Sequence, residues 1–387
     1  MRIRRWIPVV IVLAIIAALT YAAMPYVRAA SLFARVGNVG GRVEALADAA
    51  ARPVTVRPRH RVPTRQGDVS AQFYYPEGPI RRTVLLVPGV HSMGIEEPRL
   101  TALARDLAGS GIAVMAMALP DLMGYQITAR SADVIEDAVG WMATQPALAP
   151  DGRIGMVGIS FAGGLSLVAA GRPSIRDNVA YVVSFGGHGD LARVLRYLAT
   201  GEAVQVPGVK TIPPHDYGVA VILYAAADRV VPPEQVTQLR DGIRTFLLAS
   251  QLTLVNMDQA NAMFTKARGM EAGLPEPSAT YLKWVNERNV KEMGPLLAPH
   301  LGLEADPAAS PERAPSVPAA PVFLLHGDAD TVIPAAESVV LAERLRERGA
   351  DVRVLLSRII THAELDRSAA TAESWEMISF WADILRR

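Results

Sequence analysis

The chain has 387 residues, and 39 Lys and Arg against 38 Asp and Glu leave a formal net charge of +1. That balance excludes the overall basic excess typical of a nucleic-acid binder, and a sequence half hydrophobic and one-fifth charged is neither disordered nor collagenous. There is no cysteine, which removes disulfides, thiolate metal sites and a thiol nucleophile while leaving the redox compartment open.

The charge is unevenly placed. Residues 1–65 hold eleven Arg and only two acids, Glu44 and Asp48, a local balance of +9 that leaves −8 for the rest. Arg2, Arg4 and Arg5 precede an uncharged run from Trp6 to Val27, long enough at helical rise to cross a bilayer. Basic residues ahead of the run favour a cytoplasmic N-terminus. Residues 1–28 are therefore expected to be a signal anchor, with the bulk of the chain outside the inner membrane. A cleaved signal peptide is the alternative, because the densest apolar stretch is short and Ala22 and Ala23 follow it; the domain is then secreted. Either way the leader brings the chain to a membrane, and residues 29–65 read as an Arg-rich connector.

Beyond Arg65, apolar runs alternate with helix-period segments. Strands are expected at Asp68–Pro76, Thr83–Val87, Ile112–Ala118, Arg153–Val157, Val179–Phe185, Val322–Leu325 and Val352–Leu356, with helices at Pro98–Ala108, Ala132–Thr144, Ala335–Arg348 and Asp366–Leu385. Such alternation implies an α/β fold, a mostly parallel sheet with helices on both faces. The core is split into residues 66–187 and 322–387. Between them lie residues 188–304, far more than a βα connection needs, with helix-like runs at Glu234–Leu248, Met257–Met270 and Tyr281–Met293 and an apolar helix from Tyr217. This reads as a helical cap, returned by the Pro-rich segment 305–321, expected to be a flexible linker. The cap's Met257, Met263, Phe264, Met270, Tyr281 and Trp284 are read as packing, with an apolar roof over the site as the functional alternative.

The chemistry concentrates where the Arg153–Val157 strand ends in Gly158-Ile-Ser160-Phe-Ala162-Gly-Gly and enters a small-residue helix. A Ser on a tight turn between strand and helix has its hydroxyl pushed clear of the sheet, and small neighbours let strand and helix approach. The pentapeptide by itself also describes an ordinary Gly-rich turn. In this context it resembles the nucleophile elbow of the α/β-hydrolase superfamily, with Ala162 where Gly is usual. Residues 66–387 as a whole resemble dienelactone-hydrolase-like and esterase-like members, and the cap then falls between the family's strands 6 and 7.

The resemblance implies a Ser-Asp-His triad in that chain order. His326-Gly-Asp328-Ala-Asp330 after the Val322–Leu325 strand matches the acid loop, with Asp330 as the acid and Asp328 expected to tie the loop through backbone hydrogen bonds. His362, after the last strand, matches the base. The oxyanion donors would be the backbone N–H groups of Phe161 and of Val90, in Pro88-Gly-Val-His91-Ser-Met-Gly94. His91 either lines the site or holds that loop. Asp190 is the second candidate acid, and Asp228 is read as ending the helix from Tyr217. The pairs His188/Asp190 and His215/Asp216 lack ligand geometry, so no metal is assigned, and no cofactor.

The implied reaction is cleavage of a small-molecule carboxylic ester, an acyl or lipid-like one included, through an acyl-enzyme. Ser at the elbow argues against haloalkane dehalogenase and epoxide hydrolase chemistry, which place a carboxylate there. An acyltransferase, a peptidase or amidase, and a non-catalytic binding protein are alternatives on the same scaffold. No nucleic-acid partner is expected.

Overall fold

A computed structural model describes residues 3–253, 255–301, 306–360 and 373–387. Among them are the strands β1 (Val54–Val56), β2 (His60–Val62), β3 (Val69–Pro76), β4 (Thr83–Val87), β5 (Ala113–Met117), β6 (Ile154–Ile159), β7 (Val179–Phe185), β8 (Val322–Gly327) and β9 (Val352–Ser357). They form one sheet in the order β1-β3-β5-β4-β6-β7-β8-β9, with β2 also paired to β3. β4 to β9 run parallel; β3 is antiparallel to β5, β1 and β2. The expected mostly parallel sheet is thus present.

Its interior strands are covered on both faces, which is why they read as unbroken apolar runs rather than alternations. Along β4, Leu85 and Val87 join one core while Val84 and Leu86 join the other. Helix α1 (Ile3–Val36) is followed by α2 (Gly41–Ala50), α3 (Pro98–Gly109), the short α4 (Pro120–Met123), α5 (Ala129–Ala143) and α6 (Phe161–Ala170). The faces of α5 and α6 carrying Ile135, Val139, Leu165 and Val168 pack into the first core, and Leu100, Leu107 and Phe380 into the second. Between β7 and β8, the described residues include the helices α7 (Leu191–Thr200), α8 (Tyr217–Val230), α9 (Val236–Leu252), α10 (Met257–Met270), α11 (Ser278–Asn286) and α12 (Val290–Leu297). α13 (Ala336–Glu347) joins β8 to β9, and α14 (Ser374–Leu385) ends the chain.

Several elements depart from the sequence reading. The run Tyr281–Met293 is two helices, because Arg288 turns to φ 55° and Asn289 caps α12 by accepting the Glu292 N–H. α7 went unrecognised although Asp190 caps it, Gly201 ends it at φ 77°, and Leu191, Val194, Leu195 and Leu198 lie on one face. Residues 29–65 are structured: α1 continues to Val36, α2 packs on it, and β1 and β2 extend the sheet. The return is likewise held over residues 306–321, with Ala309, Ser310 and Pro311 buried and Arg313 paired with Asp190. The final helix is described only from Ser374, and the 366–372 part of the expected element lies outside the described residues.

α1 changes character along its length. Residues 12–24 are exposed, and Val12–Val36 is long and apolar enough to cross a membrane. From Ala29 onward the helix is docked. Ala29 and Leu32 enter the core with α3 and α14, Ser31 Oγ donates to Ala47 O at 2.8 Å, and the buried Arg35 guanidinium pairs with Asp106 of α3 at 2.7 Å. Deleting residues 1–24 should leave the melting temperature nearly unchanged. Deleting 1–40 should remove about 4 kcal/mol of burial and ion pairing and lower it by roughly 10 °C, read by differential scanning fluorimetry.

Candidate active site

Ser160 ends β6 and caps α6 with φ 56° and ψ −135°, a conformation that L side chains rarely adopt. Its N–H donates to Phe185 O at 2.7 Å and its carbonyl accepts the Gly163 N–H at 2.7 Å, so both neighbouring strand and following helix hold the turn. The sequence permits this because side chains are missing where backbones meet. A Cβ on Gly158 would lie 2.3 Å from Ala162 O, and the Ala162 methyl is itself fully buried at the position where Gly is usual. Ala is therefore small enough there.

The loop after β4 comes against the same residue. A Cβ on Gly89 would stand 3.0 Å from Ser160 Cβ and 3.2 Å from Ile159 O. Val90 follows directly, and Phe161 is the first residue of α6. Among the described residues neither of these N–H groups donates to a protein acceptor. Pro88 in place of His is accommodated because the loop is supported elsewhere. His91 Nδ1 accepts the Met93 N–H at 3.2 Å, and burial pushes its imidazole below the ordinary value despite the nearby Glu97 carboxylate. Of its two roles, His91 takes that of holding the loop.

Asp330 lies in the loop after β8, buried, with Oδ1 accepting the Val332 and Ile333 N–H groups at 2.8 and 2.9 Å. The tie expected of Asp328 thus belongs to the Asp330 carboxylate; Asp328 contributes its backbone N–H, to Ser357 O at 3.0 Å. His326 is a support: its ring is fully buried, Nδ1 lies 2.7 Å from Ser338 Oγ, Nε2 2.8 Å from Ile333 O and 3.4 Å from Asp330 Oδ2. His362 lies outside the described residues.

The other candidates have structural partners. Asp190 caps α7 and pairs with Arg313 at 2.7 Å; although burial pulls its carboxyl up, these partners hold it below the usual range. Asp228 lies inside α8 and pairs with Arg240. His215 and Asp216 pair with each other at 3.0 Å, and the described residues contain no acidic or imidazole group of metal-binding size. His188 sits beneath α6, its Nε2 2.9 Å from Ala309 O, and burial pushes its pKa down to about 4.

Sequence reasoning missed the polar link between cap and core. Gln251 of α9 presents Oε1 to Ser92 Oγ at 2.9 Å and to the Tyr125 hydroxyl at 3.1 Å, and the His215 N–H reaches Thr331 O at 2.7 Å. The cap therefore touches the Gly89–Val90 loop on one side and the Asp330 loop on the other. A lone Gln at the end of a helix carries no signal of this in sequence. The cap's Phe246–Phe264 and Tyr281–Trp284 ring contacts are internal packing, as expected, whereas Met257 is exposed.

A mostly parallel sheet with a strained Ser at the β6–α6 turn, the β4 loop laid against it and the Asp330 loop after β8 decides the architecture. The chain has an α/β-hydrolase fold. No family model matches it, and no curated protein does. Among solved structures it is similar to an esterase of Pyrobaculum calidifontis, at 17% identity and TM-score 0.46 over 89% of this chain and 88% of that one. It is also similar to an esterase of Pyrococcus furiosus, at 14% and 0.48 over 87% and 91%, and to an acylaminoacyl peptidase, at 13% and 0.49 over 89% and 43%.

The packing of this turn makes two predictions. Gly89→Ala should lower stability by about 1–3 kcal/mol, because the added methyl must displace Ser160 or its loop, read as an earlier midpoint in urea denaturation. His188 keeps its neutral form in the fold, so its folded pKa lies below the ordinary 6.5. Above pH 6.5 it adds no pH dependence; from there down to about pH 4 the unfolded chain takes up the proton and stability falls, by roughly 1.4 kcal/mol per pH unit. Urea denaturation of His188→Asn should accordingly lose about 2 kcal/mol less than wild type between pH 6.5 and 5.

Proposed function

We propose that the chain is a serine hydrolase that cleaves carboxylic esters through an acyl-enzyme. The observation that carries this reading is Ser160, held at φ 56° on the strand-to-helix turn with the Gly89 loop against its Cβ. A serine hydroxyl is a weak nucleophile until a base takes its proton. In this reading His362, oriented by the Asp330 carboxylate, removes that proton as Oγ attacks the ester carbonyl. In the same reading the negative charge that develops on the carbonyl oxygen is held by the Phe161 and Val90 N–H groups, since backbone donors fixed by the fold cost little reorganisation. His362 then protonates the departing alkoxide, and a water activated by the same imidazole cleaves the acyl-enzyme.

Asp330 suits its role because its other oxygen is already engaged. Two backbone N–H groups fix Oδ1 and favour the ionised form, so the carboxylate is held in one orientation. We also propose that α1 anchors the domain in a membrane with its N-terminus cytoplasmic, the three leading Arg supplying the orientation, and that the cap shapes the acyl pocket. A small-molecule ester, acyl or lipid-like, is the substrate class this arrangement suits.

A fluorophosphonate probe on the full chain tests the assignment. Wild type should label and Ser160→Ala should not, and esterase turnover should fall by at least about 10³-fold in Ser160→Ala and in His362→Ala. Labelling of both chains, or of neither, overturns it.

A further inference from the structure

At the point where α1 passes from exposed to docked, two rings meet. Tyr26 stacks on Trp375 of α14 with centroids 5.5 Å apart and planes within 5°, and the Arg386 guanidinium lies 4.7 Å from the Tyr26 centroid. Trp375 is nonetheless 64% exposed, on a helix whose next turns bury Met377, Phe380 and Trp381. An exposed Trp stacked on a Tyr at the foot of an apolar helix has the amphipathic character of rings at a membrane–water interface. Cations surround the same place. Arg28 lies within electrostatic reach of Arg52 and Arg81, Arg81 is exposed, and Arg386, also exposed, reaches Asp383 at 3.0 Å with one side of its guanidinium. Like charges gathered on one surface repel unless an anionic surface faces them.

The docked half of α1 makes this placement fixed. With Arg35 paired to Asp106 and Leu32 in the core, no free linker separates the apolar segment from the folded domain. A bilayer holding residues 12–24 must therefore meet the domain at Tyr26.

We propose that the hydrolase domain rests directly on an anionic phospholipid surface, with Tyr26 and Trp375 at the level of the interface and Arg28, Arg52, Arg81 and Arg386 forming a collar for the headgroups. This rests on the reading of α1 as a membrane anchor. It adds a lipid-facing role for α14, at the opposite end of the chain from the anchor.

The absence of cysteine makes the test direct. Full-length Trp375→Cys carrying an environment-sensitive fluorophore is reconstituted into vesicles of phosphatidylcholine alone or mixed with phosphatidylglycerol, with acyl chains plain or brominated. Brominated lipid should quench the label at least about twofold, more strongly with phosphatidylglycerol, and Arg28→Gln/Arg81→Gln should abolish that difference. Intrinsic fluorescence should show the matching loss of lipid quenching in Trp375→Phe, which needs no label. A label that stays unquenched in a chain resisting carbonate extraction overturns the proposal and leaves the anchor standing. Release of the chain by carbonate overturns both. Equal quenching in the two lipid mixtures removes the collar.

Discussion

The backbone at Ser160 is the constraint on which the rest of the site depends. A serine at φ 56° and ψ −135° costs on the order of 1–3 kcal/mol, and it persists only because the surroundings allow no other path. β7 takes its N–H, α6 takes its carbonyl, and the bare face of Gly158 lets α6 begin immediately. The strain has a use. It holds the hydroxyl-bearing carbon at the carboxyl end of β6, so close beneath the β4 loop that a Cβ at Gly89 would stand 3.0 Å from it. Relaxing the turn would carry Ser160 away from the Gly89 loop and shift Phe161, its neighbour in sequence, with it.

What could be read in the sequence divides along physical lines. The parallel strands were legible because burial on both faces makes each a short unbroken apolar run, and β4 and β7 match their expected limits to the residue. The elbow was legible because it needs small residues at fixed spacing. Features set by partners distant in sequence were not. β1 and β2 are three-residue strands whose identity comes from pairing with β3, and nothing in VTV or HRV distinguishes them from a connector. His326 reads in sequence only as part of the loop motif; that Ser338 Oγ and Ile333 O fold around its ring and make it a support depends on the fold. Asp190 looked like a second acid until its cap on α7 and its pairing with Arg313 were in place.

The same buried polar groups explain how a cap of more than a hundred residues keeps its register on the core. Glu337 of α13 is almost fully buried and accepts the N–H groups of Gly189 and Asp190 at 3.0 and 3.1 Å while bonding the Arg193 guanidinium, which also reaches Glu312. Burial pulls the Arg193 pKa down, but these carboxylates outweigh it and raise it. An ion network of this kind adds little net stability over apolar packing, because desolvation offsets the attraction; removing one member is costly, because it strands the others. Its effect is to penalise misplacement. The departing chain at Gly189–Arg193 and the returning chain at Glu312–Arg313 are held together on α13, so the cap leaves and re-enters the core at one fixed point.

From that fixed point the cap reaches the two loops that flank Ser160. The His215 N–H meets the Asp330 loop, and Gln251 meets Ser92 beside the Gly89 loop. Gln251 Oε1 also accepts from Tyr125, whose own backbone is at φ 58° and whose hydroxyl is pushed up to about 12 by burial, so that hydroxyl stays a donor across the physiological range. A cap attached only at its ends could tilt freely over the site. One attached at its root through Glu337 and on both sides of Ser160 cannot tilt without breaking bonds to the loops that carry Val90 and Asp330. The position of residues 188–304 and the geometry around Ser160 are therefore mechanically linked.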